Sequence, residues 1–417
     1  MGAEITTEED CTENNTDYKI ISSREEADYY NLLLSDLEKT TTKIVLPILL
    51  ALGLIGNIGF LFTVLRVRSM RTATNFYLSN LAVADLMFLL IVIGARLRAY
   101  VMYGLPNKVP LLGQAGCILD TFWKYVFNFA GLILITFISF ERFIAVCHPL
   151  RHRLISGRSR SVKLIVVCWL VALLLALLVI PANFNFKKYC ISWNTADPGL
   201  RDKFPAIIGR CENPDVWAFQ MFHLVQTVPF FVAFFGNSFF YTRILLKLHQ
   251  RDTHDRQRTI RTRNQVAVML VANGTVFLLT MTSFEVTSLL IFIDSFLASD
   301  LIPPEIKNTL FEINRILVYV NSVVNPLVYT LTNARYRRAF KTAFTLRSCK
   351  SSGRQRSSTV TSVLAHDLYQ INDNQTRACP ENNVTPTRGQ YLNICFENDD
   401  QDAMANESVR NATTVFT

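Results

Sequence analysis

The sequence predicts an all-α membrane protein, a seven-transmembrane helical bundle followed by a short amphipathic helix on the inner leaflet. Three observations carry that prediction. Seven apolar runs, at 43–65, 75–95, 118–140, 163–181, 216–242, 265–293 and 310–331, each come near the ~20 residues that cross a bilayer. Basic residues gather in alternate connections between these runs. The connections are mostly short and the stretch past 347 is polar, so helices that satisfy their own backbone are the expected spanning elements, not a barrel. Half of the 417 residues are hydrophobic, 30 are phenylalanine and only 18% are charged.

Residues 1–40 form an acidic arm, expected to be flexible and extracellular, with Glu8, Glu9, Asp10, Glu13, Asp17, Glu25, Glu26 and Asp28 in it. Asn14-Asn15-Thr16 puts a glycosylation sequon there, at Asn14. The arm has no apolar signal segment, so the first helix is read as the insertion signal. The bundle occupies 41–331. Arg66, Arg68 and Arg71 follow the first run, and Arg151, Arg153, Arg158, Arg160 and Lys163 follow the third. Lys247, Arg251, Arg256, Arg258, Arg261 and Arg263 follow the fifth. Alternate basic loops belong to the cytoplasm, which makes the protein a multi-pass membrane chain with its N-terminus outside and its C-terminus inside. Most of the net charge of +9 is this topology signal. It flanks spans instead of building one basic domain, so no nucleic-acid partner is expected.

The connection 182–215 is long, and 185–193 with 205–210 has the pattern of a hairpin around Asp197-Pro198-Gly199. An irregular loop is the other reading. Beyond the last run, Tyr336, Phe340 and Phe344 recur every four residues among Arg335, Arg337, Arg338 and Lys341. Residues 332–347 therefore read as an amphipathic helix lying on membrane lipid. Cys349 beyond it is a candidate for palmitoylation. Residues 348–417, rich in Ser, Thr, Asn and Asp, read as a disordered cytoplasmic tail. Ser357, Ser358 and Thr359 there are candidate phosphorylation sites.

Polar residues inside spans need a partner or a task. In chain order they are Gly56-Asn57, Leu81-Ala-Val-Ala-Asp85, Glu141-Arg142-Phe143 with Cys147-His-Pro149, Trp169, Pro229, and Asn321-Ser-Val-Val-Asn325-Pro326-Leu-Val-Tyr329. One set per helix, in this order, resembles the rhodopsin-like (class A) G-protein-coupled receptors over about residues 40–347. Opsins carry a lysine where this chain has Tyr319, and aminergic receptors an aspartate where it has Lys124. The finer resemblance is to neuropeptide receptors, and within them to invertebrate FMRFamide-type receptors. It rests on Met70-Arg71-Thr-Ala-Thr-Asn75-Phe-Tyr-Leu, on Pro229-Phe230 with Asn237, and on a sixth helix without the usual proline.

The resemblance implies a set of roles. Asp85, Asn57, Asn321, Ser322 and Asn325 would form a polar core, hydrated or holding sodium, although Gly131 and Met281 stand where the family has Ser and Trp. Arg142 would be held by Glu141 and released to meet a G-protein tail, and Asn325-Pro326 with Tyr329 would be a hinge. Pro229, Leu132 and Phe277 would link pocket to cytoplasm, with Met281 above them. Arg263 stands where many relatives carry an acid, so a lock between helices is missing and basal activity is expected. Asn237 replaces the usual tyrosine of the fifth helix. Cys117 would pair with Cys190 or Cys211, and the one left over with Cys11.

An extracellular peptide, short and amidated, would bind between the outer halves of the second, third, fifth, sixth and seventh helices. The candidates are Arg96, Arg98, Asp120, Lys124, Glu285, Glu312 and Arg315, with Tyr100, Gln220, His223, Phe284 and Tyr319 beside them. Mixed charge suits a peptide, whose own charges need partners in a partly desolvated cleft. The alternative is that these charges brace the helices against each other. Phe277, Met281, Phe284 or Glu285 and Ser288 recur at helical spacing on one broad face, so Glu285 should point into the outer cavity, toward a ligand cation or toward Lys124 or Arg315. No nucleophile–base set, metal-ligand spacing or phosphate loop suggests an enzyme, and no cofactor is expected. A seven-helix transporter or channel, or a receptor-like protein that has lost coupling to its G protein, are the alternatives.

Overall fold

The computed structural model describes residues 18–22, 36–103, 112–155, 157–182, 184–192, 207–212, 215–252, 258–297 and 304–345. Seven long helices build it: α1 (Leu46–Arg66), α2 (Ala73–Tyr103), α3 (Gly113–Cys147), α4 (Arg158–Val179), α5 (Val216–Asp252), α6 (Arg258–Leu297) and α7 (Pro304–Thr332). An eighth, α8 (Ala334–Phe344), follows, and the short helix Pro149–Ile155 links α3 to α4. Residues 349–417 make a separate unit that lies outside the described residues.

Among the described residues, six helices are long and apolar enough to cross a membrane. They contain α1 to α6. The remaining long helix, α7, contains the seventh apolar run but turns Glu312, Asn314, Ser322 and Asn325 into the bundle, which lowers its average apolarity. The spans otherwise carry apolar side chains on both faces. Ile55, Leu174, Phe235 and Leu279 project outward and are largely exposed, as they would be against lipid. Inward, Phe129, Leu134, Leu81, Leu89 and Phe230 fill the centre.

The helices pack in sequence as a closed ring, α1 on α2, α2 on α3, α5 on α6, α6 on α7 and α7 back on α1, while α3 also touches α4 and α5. Polar side chains pin that ring. Asn57 Nδ2 donates to Gly53 O at 3.0 Å and across to Ser322 O at 3.1 Å, tying α1 to α7. Trp169 Nε1 donates to Asn80 Oδ1 at 3.2 Å, tying α4 to α2. In hydrocarbon such bonds replace water that the groups cannot reach.

One end is covered by a sheet of β1 (Tyr18–Ser22), β2 (Asn185–Ser192) and β3 (Ile207–Glu212), in that order. The expected hairpin is present: β2 and β3 pair antiparallel, Asn185 opposite Glu212 and Tyr189 opposite Ile208. Within the expected arm, Tyr18–Ser22 joins the sheet parallel to β2. Helix also begins earlier than expected, at Asp36, and passes through a π-helical turn at Thr41–Val45 before α1. A disulfide joins Cys117 of α3 to Cys211 of β3, so Cys190, in β2 opposite Ile207, is not the partner. Gln114 also grips the hairpin, donating to Phe184 O and accepting from Phe186 N. The Phe186 ring lies so close to Gly209 that any Cβ there would collide with it.

At the other end Asn333 caps α8, its side chain accepting from Arg335 N at 2.9 Å. Tyr336, Ala339 and Ala343 are the buried face, and Phe340 packs over Gly59 of α1. Phe344 is half exposed, on the side that meets lipid.

Candidate functional site

The site is a column through the bundle, from the sheet-covered end to the opposite one. At the covered end three charged residues meet. Arg96 Nη2 lies 2.8 Å from Glu312 Oε1, and Arg315 Nη1 donates to Glu312 Oε2 at 3.1 Å. Glu312 is wholly buried and Arg96 nearly so, while the Arg315 side chain is 42% exposed. The bracing alternative therefore describes Arg96 and Glu312, and Arg315 keeps a face toward the opening. Tyr319 is buried one turn below, its ring against Phe88.

The remaining pocket candidates divide. His223 is buried, and its Nδ1 lies 2.7 Å from Ser288 Oγ, which also accepts from Thr227 at 3.3 Å. It is a satisfied core histidine between α5 and α6. Lys124 sits over the Tyr125 ring, 4.3 Å from its centroid. Asp120 is exposed, Arg98, Tyr100 and Gln220 are half-buried, and Phe284 packs against the core.

Glu285 is 2% exposed, so α6 does turn it inward, together with Phe277, Met281 and Ser288. Its neighbours are Gln226 and Thr227 of α5. Tyr125 donates to Gln226 at 3.3 Å, and Glu285 Oε2 accepts no hydrogen bond. A buried carboxyl oxygen without a donor is costly, which marks it for a task. Glu285 lines the same deep cavity as Asp85, a space of about 30 Å³ that Asn128, Asn321 and Ser322 also reach.

Asp85, at the floor of that cavity, accepts from Asn325 Nδ2 at 2.7 Å. Asn57, Ser322, Asn325 and Asp85 are thus brought together, and Asn321 lines the same space. One Asp85 oxygen is already taken by an amide donor, and Gly131 contributes no side-chain oxygen. The space is that of about one water. This donor set fits a hydrated network better than a sodium ion, and no group of three or more His, Cys, Asp or Glu able to hold a metal occurs among the described residues.

Below Glu285, α6 runs without interruption through the position where the resemblance leads one to expect proline. Ser283 stands there, and its hydroxyl donates to Asn314 of α7 at 2.6 Å, while Asn314 donates to Thr287 at 2.9 Å. Leu132, Phe277 and Met281 line the cavity with Phe230, whose ring faces Phe277 at 6.3 Å. Pro229 lies inside α5 beside them.

At the far end the partners differ from those expected. Glu141 was expected to hold Arg142. Its carboxylate instead meets Arg160 of α4 at 3.1 Å and His152 of the linking helix at 3.7 Å. Arg142 donates to the Thr74 hydroxyl of α2, and its Nε is buried without an acceptor. Consecutive helical residues point about 100° apart, so Glu141 and Arg142 address different neighbours. Asn237 bonds Thr136 at 3.2 Å. The tyrosine of this region is Tyr241, one turn on, whose hydroxyl lies 2.7 Å from Ser139 Oγ. Tyr329 is buried between Phe60 and Tyr336, with no partner for its hydroxyl. Tyr336 donates to Asn75, and burial pushes its phenol up to about 12, so it stays a neutral donor.

The sequence motifs assign no site role to Tyr241, Gln226, Thr74, Arg160 or His152. Tyr241 lies four residues from Asn237, on the same face, which was the available signal. Asn14, Cys349, Ser357, Ser358 and Thr359, and the side chain of Arg263, lie outside the described residues.

Residues 56–329 match the family model described as 7 transmembrane receptor (rhodopsin family). The human thyrotropin-releasing hormone receptor is 27% identical over 403 residues, covering 88% of this chain and 92% of that protein. The mouse neuromedin-U receptor 2 is 26% identical over 323 residues, covering 74% and 75%. A neuromedin U receptor homologue of Caenorhabditis elegans is 24% identical over 325 residues, covering 72% and 78%.

Proposed function

Because the chain belongs to the rhodopsin family of seven-transmembrane receptors, we propose that it binds an extracellular peptide at its sheet-covered end and activates a heterotrimeric G protein at the other. The peptide class is supported by relatives named for thyrotropin-releasing hormone and neuromedin U. The observation that carries it is the polarity of the column: Arg96 and Arg315 on α2 and α7, and Glu285 deep on α6 with an oxygen that accepts no hydrogen bond. A ligand carrying both an acceptor-rich end and a cation complements that arrangement.

The orientation is the one the basic loops favour, N-terminus outside and the α8 end in the cytoplasm of a plasma-membrane protein. Binding near Glu285 would favour whichever arrangement of α6 holds the ligand better, and Met281 and Phe277 on the same face would carry that preference toward Tyr241 and Arg142. An amidated ligand of the FMRFamide type stays within this proposal, resting on the Met70–Leu78 and Pro229-Phe230 motifs and on Glu285 as the seat of a ligand arginine. Arrestin and receptor kinases would act on the tail at Ser357, Ser358 and Thr359.

The deciding experiment is nucleotide exchange on purified G proteins by the purified receptor, screened with amidated peptides, thyrotropin-releasing hormone and neuromedin U. Peptide-dependent exchange supports the proposal. A peptide-evoked membrane current without exchange would favour the transporter or channel alternative, and peptide binding with neither would favour a receptor-like protein without coupling.

A further inference from the structure

Strand β2 has a neighbour on each side. On one it pairs antiparallel with β3, and on the other it pairs parallel with β1. The hairpin of β2 and β3 is fixed to the bundle. Cys211 of β3 is bonded to Cys117 of α3, Gln114 of α3 holds Phe184 and Phe186, and α5 begins at Val216, just past the end of β3 at Glu212. β1 comes from the arm ahead of α1, with Tyr18 opposite Lys188 and Ser22 opposite Ser192.

A parallel ladder is built from main-chain N–H and C=O groups, so any extended segment without proline supplies the same set. Five residues of such pairing gain little beyond the cost of ordering them. β1 is therefore exchangeable, while the edge it covers stays in place because the disulfide and Gln114 hold the hairpin. A bond between Cys11 and Cys190, expected from the sequence, would raise the local concentration of the arm without adding to the ladder. A strand edge is a template for another extended chain, and strand addition at such an edge is a general mode of peptide recognition. This edge stands at the end of the bundle where Arg315 keeps an exposed face.

We infer that the β1-facing edge of β2 is a docking site for an extended segment of the peptide ligand, and that the arm occupies it in the ligand-free receptor as a built-in competitor. Replacing one strand by another conserves the ladder, so the contacts made elsewhere in the column decide which strand is held. That the incoming strand belongs to the ligand rests on the function proposed above. The edge itself does not.

Hydrogen exchange read by mass spectrometry, on the full-length receptor in detergent micelles, tests both parts. Lys19→Pro/Ile20→Pro removes two adjacent N–H groups, and because alternate N–H groups of a strand face the same neighbour, one of the two belongs to the ladder. Amides across Asn185–Ser192 should then exchange about tenfold faster or more. An isotope-labelled peptide with the sequence of Asp17–Ser23, capped at both ends, should restore the wild-type rate, and the same peptide carrying the two prolines should not. Unchanged exchange in the variant, or no restoration by the peptide, would overturn the docking edge. Lys19→Gly/Ile20→Gly, which weakens the strand and keeps every N–H, carries the same comparison should the proline variant fail to purify. In the wild type, an agonist selected by nucleotide exchange should speed exchange at Tyr18–Ser22 and leave Asn185–Ser192 protected. An agonist complex in which Tyr18–Ser22 stays protected would overturn the ligand as occupant. The peptide experiments use neither agonist nor G protein, so failure of the edge and failure of the proposed function are told apart.

Discussion

The Tyr241 hydroxyl meets Ser139 Oγ at 2.7 Å, joining α5 to α3, and it does so directly above Gly274 of α6. The glycine is required by the tyrosine, because any Cβ at 274 would strike the phenol. Three helices therefore meet through one hydroxyl at the level where the bundle would open to a G protein.

Removing that hydroxyl should loosen the arrangement. Tyr241→Phe forfeits a hydrogen bond worth about 1 kcal/mol, and Gly274→Ala displaces the ring altogether. Both variants should show basal nucleotide exchange raised by up to about fivefold, with a lower Tm for Gly274→Ala. Unchanged basal exchange in both would mean that the contact does not distinguish resting from active arrangements.

Thr74 gives the same region a second restraint. Thr74→Val removes the acceptor for Arg142 and leaves another guanidinium nitrogen unpaired. Basal exchange should rise, by about tenfold or more for a hydrogen bond to a charged group. The absent acid at Arg263 already predicts basal exchange above that of receptor-free membranes, and a wild-type signal equal to those membranes would refute it.

Glu285 should discriminate cations. Glu285→Gln is expected to weaken an arginine-containing agonist about thirtyfold or more, and its citrulline analogue far less. Competition binding with the two peptides measures the difference, and equal losses would remove Glu285 from direct contact.

Glu312→Gln should act on stability first. It leaves Arg96 buried opposite a neutral amide, and breaking one partner of a buried pair costs about 3–5 kcal/mol. The Tm of the purified variant should fall clearly. An Arg96→Met/Glu312→Leu double variant should recover much of the loss, because it removes both charges together.

Much of this architecture could be read from the chain. The runs gave the spans, and the polar residues of each run gave its inward face. That Glu285 turns away from lipid follows from the spacing of Phe277, Met281 and Ser288, but its neighbours Gln226 and Thr227 do not. The hairpin followed from two extended stretches around a turn signal. What stayed hidden depends on contacts between distant segments. Tyr18–Ser22 is an ordinary stretch in an acidic arm, and only the exposed edge of β2, some 170 residues away in sequence, makes it a strand. Glu141 and Arg142 are neighbours in sequence, and that adjacency was misleading. The choice between Cys190 and Cys211 turned on which strand lies over α3, which spacing does not encode.

The polarity of α7 bears on how the protein is made. Glu312, Asn314 and Asn325 are acceptable only because Arg96, Ser283 and Asp85 belong to the same interior. A fragment holding α7 alone would carry those groups into hydrocarbon without partners, at a few kcal/mol for each charge. Its insertion is therefore a cooperative step that draws on the six helices translated before it. A chain that stops after α6 should still enter the membrane, whereas α7 expressed separately should stay at the surface until the rest of the bundle is supplied.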